Sequence, residues 1–579
     1  MNEINYTISF SKPFTHYCEV EISVNNIKQD SVIFSMPVWT PGSYLVREFA
    51  RNIESVIAEN SIGKKLNIQK INKNSWEVNS ESESEVKLKY RVYCNEPSVR
   101  TSEINSEHAF LANAGVFMFV RGFENCKCVL KINLPEDKSW KKISTGLNKE
   151  SENIYSAENY EVFIDSPVET GNQNILEFEI NGIKHFISLT GKGNYDEEVL
   201  INDFKKIAEE EIKLLGGDIP YESFTFIIHL VEKGGGGLEH LNSFVVQIPR
   251  WNFTDEEKYK KFLGLVSHEF FHLWNVKRIR PEALGPFDYD NENYSKELWV
   301  AEGWTSFYDN LILRRCDILN NEEYYKFIEV ELNDIMKFEG RFHQSLEESS
   351  YDTWIRFYRK DENYNNTQVS YYTKGALTAM MLNIEIIKNT NAEKSLDDAL
   401  RMLYDDYKKD KSKGYSGQRV KEVCEIACGK SLDNFWEKYI YGKDELPLNE
   451  YLNFAGLKIV NENESGIIKL DIETKKEDGK LIIIKVLAGG TAYESGLNFK
   501  DEIIAIDGVR ADAELMNTII TDKKEGDTIK VLINRKGLIE EIIITLKQPL
   551  PNYKIEEIEN KDTEQQKVMN KWFKNTTEV

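Results

Sequence analysis

Apolar and polar residues alternate in short runs through the first part of the chain. Tyr6 to Phe10, Cys18 to Val24, Ser75 to Val78, Val86 to Tyr93 and Cys128 to Leu134 all repeat with period two, the period of a strand with one buried face. Turn-forming residues separate the runs, so the pattern predicts an antiparallel β-sandwich over residues 1–165. Met36 to Phe49 breaks the alternation with two prolines and a glycine. It predicts a fixed loop suited to a contact with another domain.

The pattern changes over residues 166–446. Glu197 to Leu215 reads as a helix that Gly216-Gly217 ends. Strand runs at Tyr221 to Val231 and Ser243 to Ile248 flank the glycine run Gly234 to Gly237. No Gly-Lys-Ser/Thr follows that run, so it is not a phosphate-binding loop. It reads either as a hairpin tip or as backbone that approaches a ligand closely, with Glu239 beside it. From about residue 255 the chain turns mainly helical. Within this part Tyr371 and Tyr372 precede a helix whose first turn holds the small residues Gly375 and Ala376. Strands return over residues 456–549, at Lys480 to Val486, Glu502 to Gly508, Thr528 to Asn534 and Ile539 to Leu546, with a short helix expected from Ala511 to Thr521. That block has the size of a small independent module. Residues 550–579 form a charged tail in which Trp572 and Phe573 are available to dock. The fold class is multidomain α+β.

Length and composition narrow the picture. A chain of 579 residues implies three or four domains. The formal charge of −23 argues against nucleic acid or anionic membrane as a partner. No positively charged start leads into an apolar run, and no run approaches the ~18 apolar residues of a membrane span. A cytoplasmic location is the expectation. Seven cysteines in so long a chain do not make a disulfide framework. Cys126, Cys128, Cys424 and Cys428 read as packing residues.

Chemistry concentrates in His268-Glu269-Phe-Phe-His272. Residues four apart share one face of a helix, so both imidazoles can grip one metal ion while Glu269 reaches a water on it. The plain alternative is a satisfied pair of core histidines. Only 8 His occur in the chain, so a chance match to this spacing is rare. Catalytic zinc takes three protein ligands and keeps an open position. Glu302, thirty positions beyond His272 (302 − 272), is the candidate third ligand. Its neighbours Trp299, Val300, Ala301 and Trp304 predict burial, and a buried carboxylate needs a partner. Glu297 is the rival ligand, and Asp309 a candidate to orient a ligand from behind. A tyrosine at 371 or 372 is a suitable hydrogen-bond donor to an oxyanion, although packing alone also explains aromatics at a helix start.

These stretches resemble the glycyl aminopeptidase family of gluzincin metallopeptidases, which is distantly similar to aminopeptidase N and leukotriene-A hydrolase. The resemblance is carried by His268 to Trp274, Leu298 to Gly303, Tyr372-Thr-Lys374-Gly375 and Gly236-Gly-Leu-Glu239-His240, with further marks at Trp39 to Tyr44 and Asn275 to Pro281. His240 and Leu238 stand where aminopeptidase N relatives have Asn and Met, and the gap between the second His and the third ligand is longer. The resemblance implies a thermolysin-like catalytic domain and one Zn²⁺ per chain on His268, His272 and Glu302. Glu269 is then the general base and Tyr372 the oxyanion donor. Gly236, Gly237 and Glu239 bind substrate, Glu239 by pairing with the substrate's free amine. The implied activity removes a small N-terminal residue, Gly or Ala, from peptides. Residues 456–549 look like a PDZ domain, from Ala488 to Leu497 into the Asp501 to Gly508 strand, which implies peptide binding or self-association. Phe454 to Leu457 is the candidate for its carboxylate-binding loop. Two other readings stay open: an endopeptidase on the same zinc scaffold, and a PDZ adaptor with a vestigial peptidase fold.

Overall fold

The computed structural model describes residues 3–81, 83–136, 139–465, 468–512, 518–520 and 522–573. The chain divides into two compact units.

The first unit holds Met1–Tyr294 with Cys316–Ile318 and Tyr404–Tyr415. Its N-terminal part is β-rich, with an eight-stranded sheet and smaller sheets of five and four strands. Alternation sets the buried faces, as in Tyr17–Asn25, where every second residue is inside. The sandwich is not wholly antiparallel. Glu3–Ser9 pairs in parallel with Lys127–Asn133, an arrangement the long intervening chain permits because parallel neighbours need a crossover. Buried tyrosines direct their hydroxyls to backbone carbonyls, Tyr6 to Met118 at 3.0 Å and Tyr160 to Phe117 at 2.7 Å.

A five-stranded sheet follows, in the order Asn174–Ile180, Ile183–Thr190, Ser223–Val231, Ser243–Pro249, Gly236–Glu239. Ser223–Val231 has parallel neighbours on both sides. Such central strands are covered on both faces, which is why the sequence there is apolar throughout rather than alternating. The glycine run is therefore the edge of a sheet: Gly236–Glu239 pairs antiparallel with Ser243–Pro249. The helices Glu197–Leu214 and Glu256–Phe271 start on the N-caps Asp196 and Asp255. Phe204, Phe226, Phe262 and Phe270 interlock beneath them.

Glu169 is fully buried in this unit. Its carboxylate accepts from His108 Nδ1 and His229 Nε2, each at 2.9 Å, and from Thr190 Oγ1 at 2.9 Å. Burial works to raise its pKa, but His108 and His229 outweigh that and hold it at about 2.

The second unit holds Ser295–Arg315, Leu319–Leu403 and Ser416–Val579. Its helices include Thr305–Arg315, Asn321–Met336 and Thr373–Asn389. The buried Arg315 guanidinium pairs with Asp397 at 2.9 Å, and Tyr308 donates to the same carboxylate at 2.9 Å. Strands Ile472–Glu477, Lys480–Val486, Glu502–Ile506, Thr528–Arg535 and Leu538–Thr545 form the C-terminal sheet. Asn366 ties the end of Lys480–Val486 to the helical part, donating to Val486 O at 3.0 Å and accepting from Ala488 N at 2.8 Å. Phe454 to Leu457 is not a loop of this sheet. Phe454 ends a helix, and Leu457 starts a strand that pairs with Tyr553–Glu557. The expected helix from Ala511 to Thr521 falls largely outside the described residues. The tail is folded rather than merely charged: helix Thr563–Phe573 buries Trp572 and Phe573, both edge-on to Tyr324.

Glu169→Gln should lower stability by about 3–5 kcal/mol at neutral pH, since it leaves buried partners without their charge. The folded-state pKa lies below the ordinary value of 4.5, so the contribution is present above pH 4.5 and lost as pH falls toward about 2. Thermal melting of both proteins from pH 7 to 3 checks this: the gap between them should narrow below pH 4.5.

Candidate active site

The Glu256–Phe271 helix presents His268 and His272 one turn apart, with His272 at its C-terminal cap. Their Nε2 atoms lie 3.1 Å apart and the rings stand at 85°. His272 Nδ1 donates to Asn275 O at 2.7 Å. A carbonyl only accepts, so this bond fixes the proton on Nδ1 and leaves Nε2 with a lone pair. Two nitrogens bound tetrahedrally to zinc at about 2.0–2.1 Å sit about 3.3 Å apart. The imidazole pair fits such an ion.

Glu269 is buried, and its carboxylate rests on the edge strand: a Cβ built on Gly237 would lie 2.0 Å from Glu269 Oε1. Glycine at 237 is therefore a steric requirement of Glu269. One ligand atom from each of Glu239, Glu269 and His272 lies within 4.8 Å of the others. Gly236, the next residue of the edge strand, has φ +122, open to glycine alone.

Glu239 ends the edge strand and is 4% exposed. The Trp39 to Tyr44 loop closes on it. The loop is anchored by Val38 N donating to Tyr289 O at 2.9 Å and Trp39 Nε1 to Asp288 O at 2.8 Å. At its tip Gly42 has φ +84, and a Cβ there would stand 2.5 and 2.8 Å from the two oxygens of Glu239. A cavity of about 60 Å³ beside the carboxylate is lined by Gly42, Tyr44, Glu161, Asp165, Lys277 and Arg280 among others. Lys277 Nζ lies 4.0 Å from Glu239 and 2.9 Å from Asp165. Burial disfavours the charge on Lys277, yet Asp165 and Glu239 hold its pKa above the ordinary value.

In the second unit Glu302 is 2% exposed on a π-helical turn, Trp299–Trp304, a widened turn often found at functional sites. Its rival Glu297 is less buried and is taken up locally, accepting from Ser295 Oγ at 2.8 Å and Lys296 N at 3.1 Å. The π turn meets the start of Thr373–Asn389 backbone to backbone: a Cβ on Gly303 would lie 2.6 Å from Gly375 Cα. Tyr371 is fully buried, its hydroxyl 3.0 Å from Thr353 Oγ1. Tyr372, stacked on Phe357 at 5.3 Å, is only half-buried. Asp309 Oδ1 accepts from its neighbour Asn310, and Asp309 helps to push the pKa of Glu331 up, after burial itself.

Sequence reasoning missed Asp165, and it gave no role to Gly42 or Lys277. Gly42 and Lys277 lie in stretches already singled out, Trp39 to Tyr44 and Asn275 to Pro281. Their proximity to Glu239 depends on long-range packing that spacing does not encode.

Fold and site define a metallopeptidase of the aminopeptidase class. Residues 5–172 match the Peptidase M61 N-terminal domain, 261–378 the M61 glycyl aminopeptidase, and 469–546 a PDZ domain. The N-terminal and catalytic stretches thus match the M61 glycyl aminopeptidase family. An aminopeptidase N family protein from Idiomarina loihiensis is similar over 98% of this chain and 100% of its own, with 28% identity and a TM-score of 0.91. An M1 zinc metallopeptidase from Deinococcus radiodurans matches at 10% identity over 77% of this chain and 95% of its own, TM-score 0.48. Yeast LTA4 hydrolase in complex with bestatin matches at 13% identity over 77% and 68%, TM-score 0.45. No curated protein sequence matches significantly.

Gly237→Ala should displace the Glu269 carboxylate by an ångström or more. Peptidase kcat/KM is then expected to fall about 10²-fold while the melting temperature stays within a few degrees. Undiminished activity would show that Glu269 tolerates displacement.

Proposed function

We propose that this aminopeptidase removes a small N-terminal residue, glycine or alanine, from peptides, using one zinc ion held by His268, His272 and Glu302. The observation that carries the metal assignment is the facing Nε2 pair at 3.1 Å, with the His272 proton fixed on the opposite nitrogen. Glu302 is the natural third ligand because it is buried on a π turn and its rival is occupied locally. When bound, the ion supplies Lewis acidity and lowers the pKa of water toward about 7.

The chain's own groups do the rest. Glu269 takes the proton of the attacking water and delivers it to the nitrogen of the leaving amine. Tyr372, the tyrosine whose hydroxyl is not enclosed in the core, donates a hydrogen bond to the oxyanion. The edge strand at Gly236 and Gly237 aligns the substrate backbone by strand addition. Glu239 pairs with the α-ammonium, which restricts cleavage to the first residue. Gly42 supports the preference for small residues. Its backbone lies so close to the receptor carboxylate that a Cβ there would stand 2.5 Å from a Glu239 oxygen, which leaves little room beside the amine. The PDZ domain offers a second surface for peptides, of substrate or of another copy of the chain. Seven free cysteines support a reducing, cytoplasmic setting.

Glu269→Gln should keep one zinc per chain by elemental analysis while losing about 10²–10⁴ in kcat; full turnover in that variant would remove the general-base role. Among aminoacyl p-nitroanilides, Gly and Ala should be cleaved well, Leu and Phe poorly, and N-acetylated forms not at all. Equal cleavage of blocked and free substrates would instead favour an endopeptidase.

A further inference from the structure

Three charged side chains share the buried ground beneath the amine pocket. Lys277 stands between two carboxylates, 2.9 Å from Asp165 and 4.0 Å from Glu239. It is thus hydrogen-bonded to Asp165 and held just out of hydrogen-bond range of Glu239. Asp165 sits at the end of the Tyr160–Ile164 helix. Its Oδ1 also accepts from His240 Nδ1 at 3.0 Å, and its Oδ2 from the backbone N–H of Leu241 at 2.9 Å. His240 and Leu241 directly follow Glu239 in the chain, so Asp165 grips both the cation beside Glu239 and the backbone that carries it.

The charge balance gives this arrangement a purpose. Arg280 and Glu161, which line the same cavity, pair with each other and cancel. Glu269, with an oxygen within 4.8 Å of a ligand atom of both Glu239 and His272, borders the cluster and is counted with the imidazoles. His240 donates its Nδ1 proton to Asp165. Within the trio of Asp165, Lys277 and Glu239, two carboxylates stand against one ammonium, a single net negative charge. A substrate α-ammonium arriving at Glu239 makes the cluster neutral. Without the Asp165 charge, Lys277 would be free to close the gap to Glu239 and fill the receptor itself, and the amine would then meet a neutral pair.

Resting on the reading of Glu239 as the amine receptor, we propose that Asp165 is a positioning residue for substrate recognition: it draws Lys277 away from Glu239 and keeps one unpaired negative charge for the substrate's amine. The role lies two links away from the substrate, through Lys277 to Glu239.

The test is a charge-rescue series in the zinc-loaded full chain, with glycine p-nitroanilide as substrate and melting curves to confirm folding. Asp165→Asn is nearly isosteric and should raise KM by about ten- to fifty-fold, with the loss in KM far exceeding that in kcat. Adding Lys277→Met removes both opposite charges, restores the single negative charge, and should recover most of the lost KM. A merely structural Asp165 predicts the opposite, since the double substitution would compound the damage. An unchanged KM in Asp165→Asn, or a double variant no better than the single, overturns the proposal. Glu239→Gln is run beside them. If it raises KM while Asp165→Asn does not, the proposal fails alone; if Glu239→Gln leaves KM unchanged, the amine-receptor reading falls and the proposal falls with it.

Discussion

A helix places residues four apart on the same face, about one turn of rise between them. In this chain that spacing brings two imidazole nitrogens to 3.1 Å, each ring edge-on to the other. With the His272 proton held on Nδ1, its Nε2 lone pair faces the His268 ring, a nitrogen pair that one cation can bridge. The helix that holds them is fixed in place: Phe262, Phe270 and Phe271 are buried, and Ser267 bonds to the buried Glu211. Within the same unit, carboxylate oxygens of Glu239 and Glu269 come within 4.8 Å of His272.

Close backbone approach is the second constraint. Two glycines in each unit are fixed by contact rather than by flexibility. Gly237 lets Glu269 lie on the edge strand, Gly42 lets a loop cover Glu239, and Gly303 and Gly375 let two helical segments touch. In each case a single methyl would occupy space now held by a carboxylate or by another backbone. Catalytic groups placed this way are positioned by the main chain, which is stiffer than any side chain that might otherwise support them.

Much of this was legible in the residues. The alternation over Tyr17–Asn25 and the Glu256–Phe271 helix follow directly from period and caps. The facing imidazole pair follows from spacing, and the burial of Glu302 from its aromatic neighbours. Other features were not legible, for physical reasons. The parallel pairing of Glu3–Ser9 with Lys127–Asn133 joins strands more than a hundred residues apart, and local pattern carries no register at that range. The glycine run reads either as a hairpin tip or as backbone close to a ligand, and the edge strand that Gly236 and Gly237 join depends on pairing with Ser243–Pro249. Trp572 and Phe573 mark the charged tail as able to dock, but the place that receives them, at Tyr324, is set by the tertiary fold. The network of Asp165, Lys277 and Glu239 draws on three separate segments, and only the tertiary fold brings them together.

The account turns on the identity of the third ligand. X-ray absorption and anomalous diffraction on the zinc-loaded chain measure it directly. The prediction is one zinc with imidazole nitrogens of His268 and His272 at about 2.0–2.1 Å and an oxygen of Glu302 at about 2.0–2.2 Å. Zinc held instead by His272 with Glu239 and Glu269, or a coordination shell unchanged in Glu302→Ala, would contradict it.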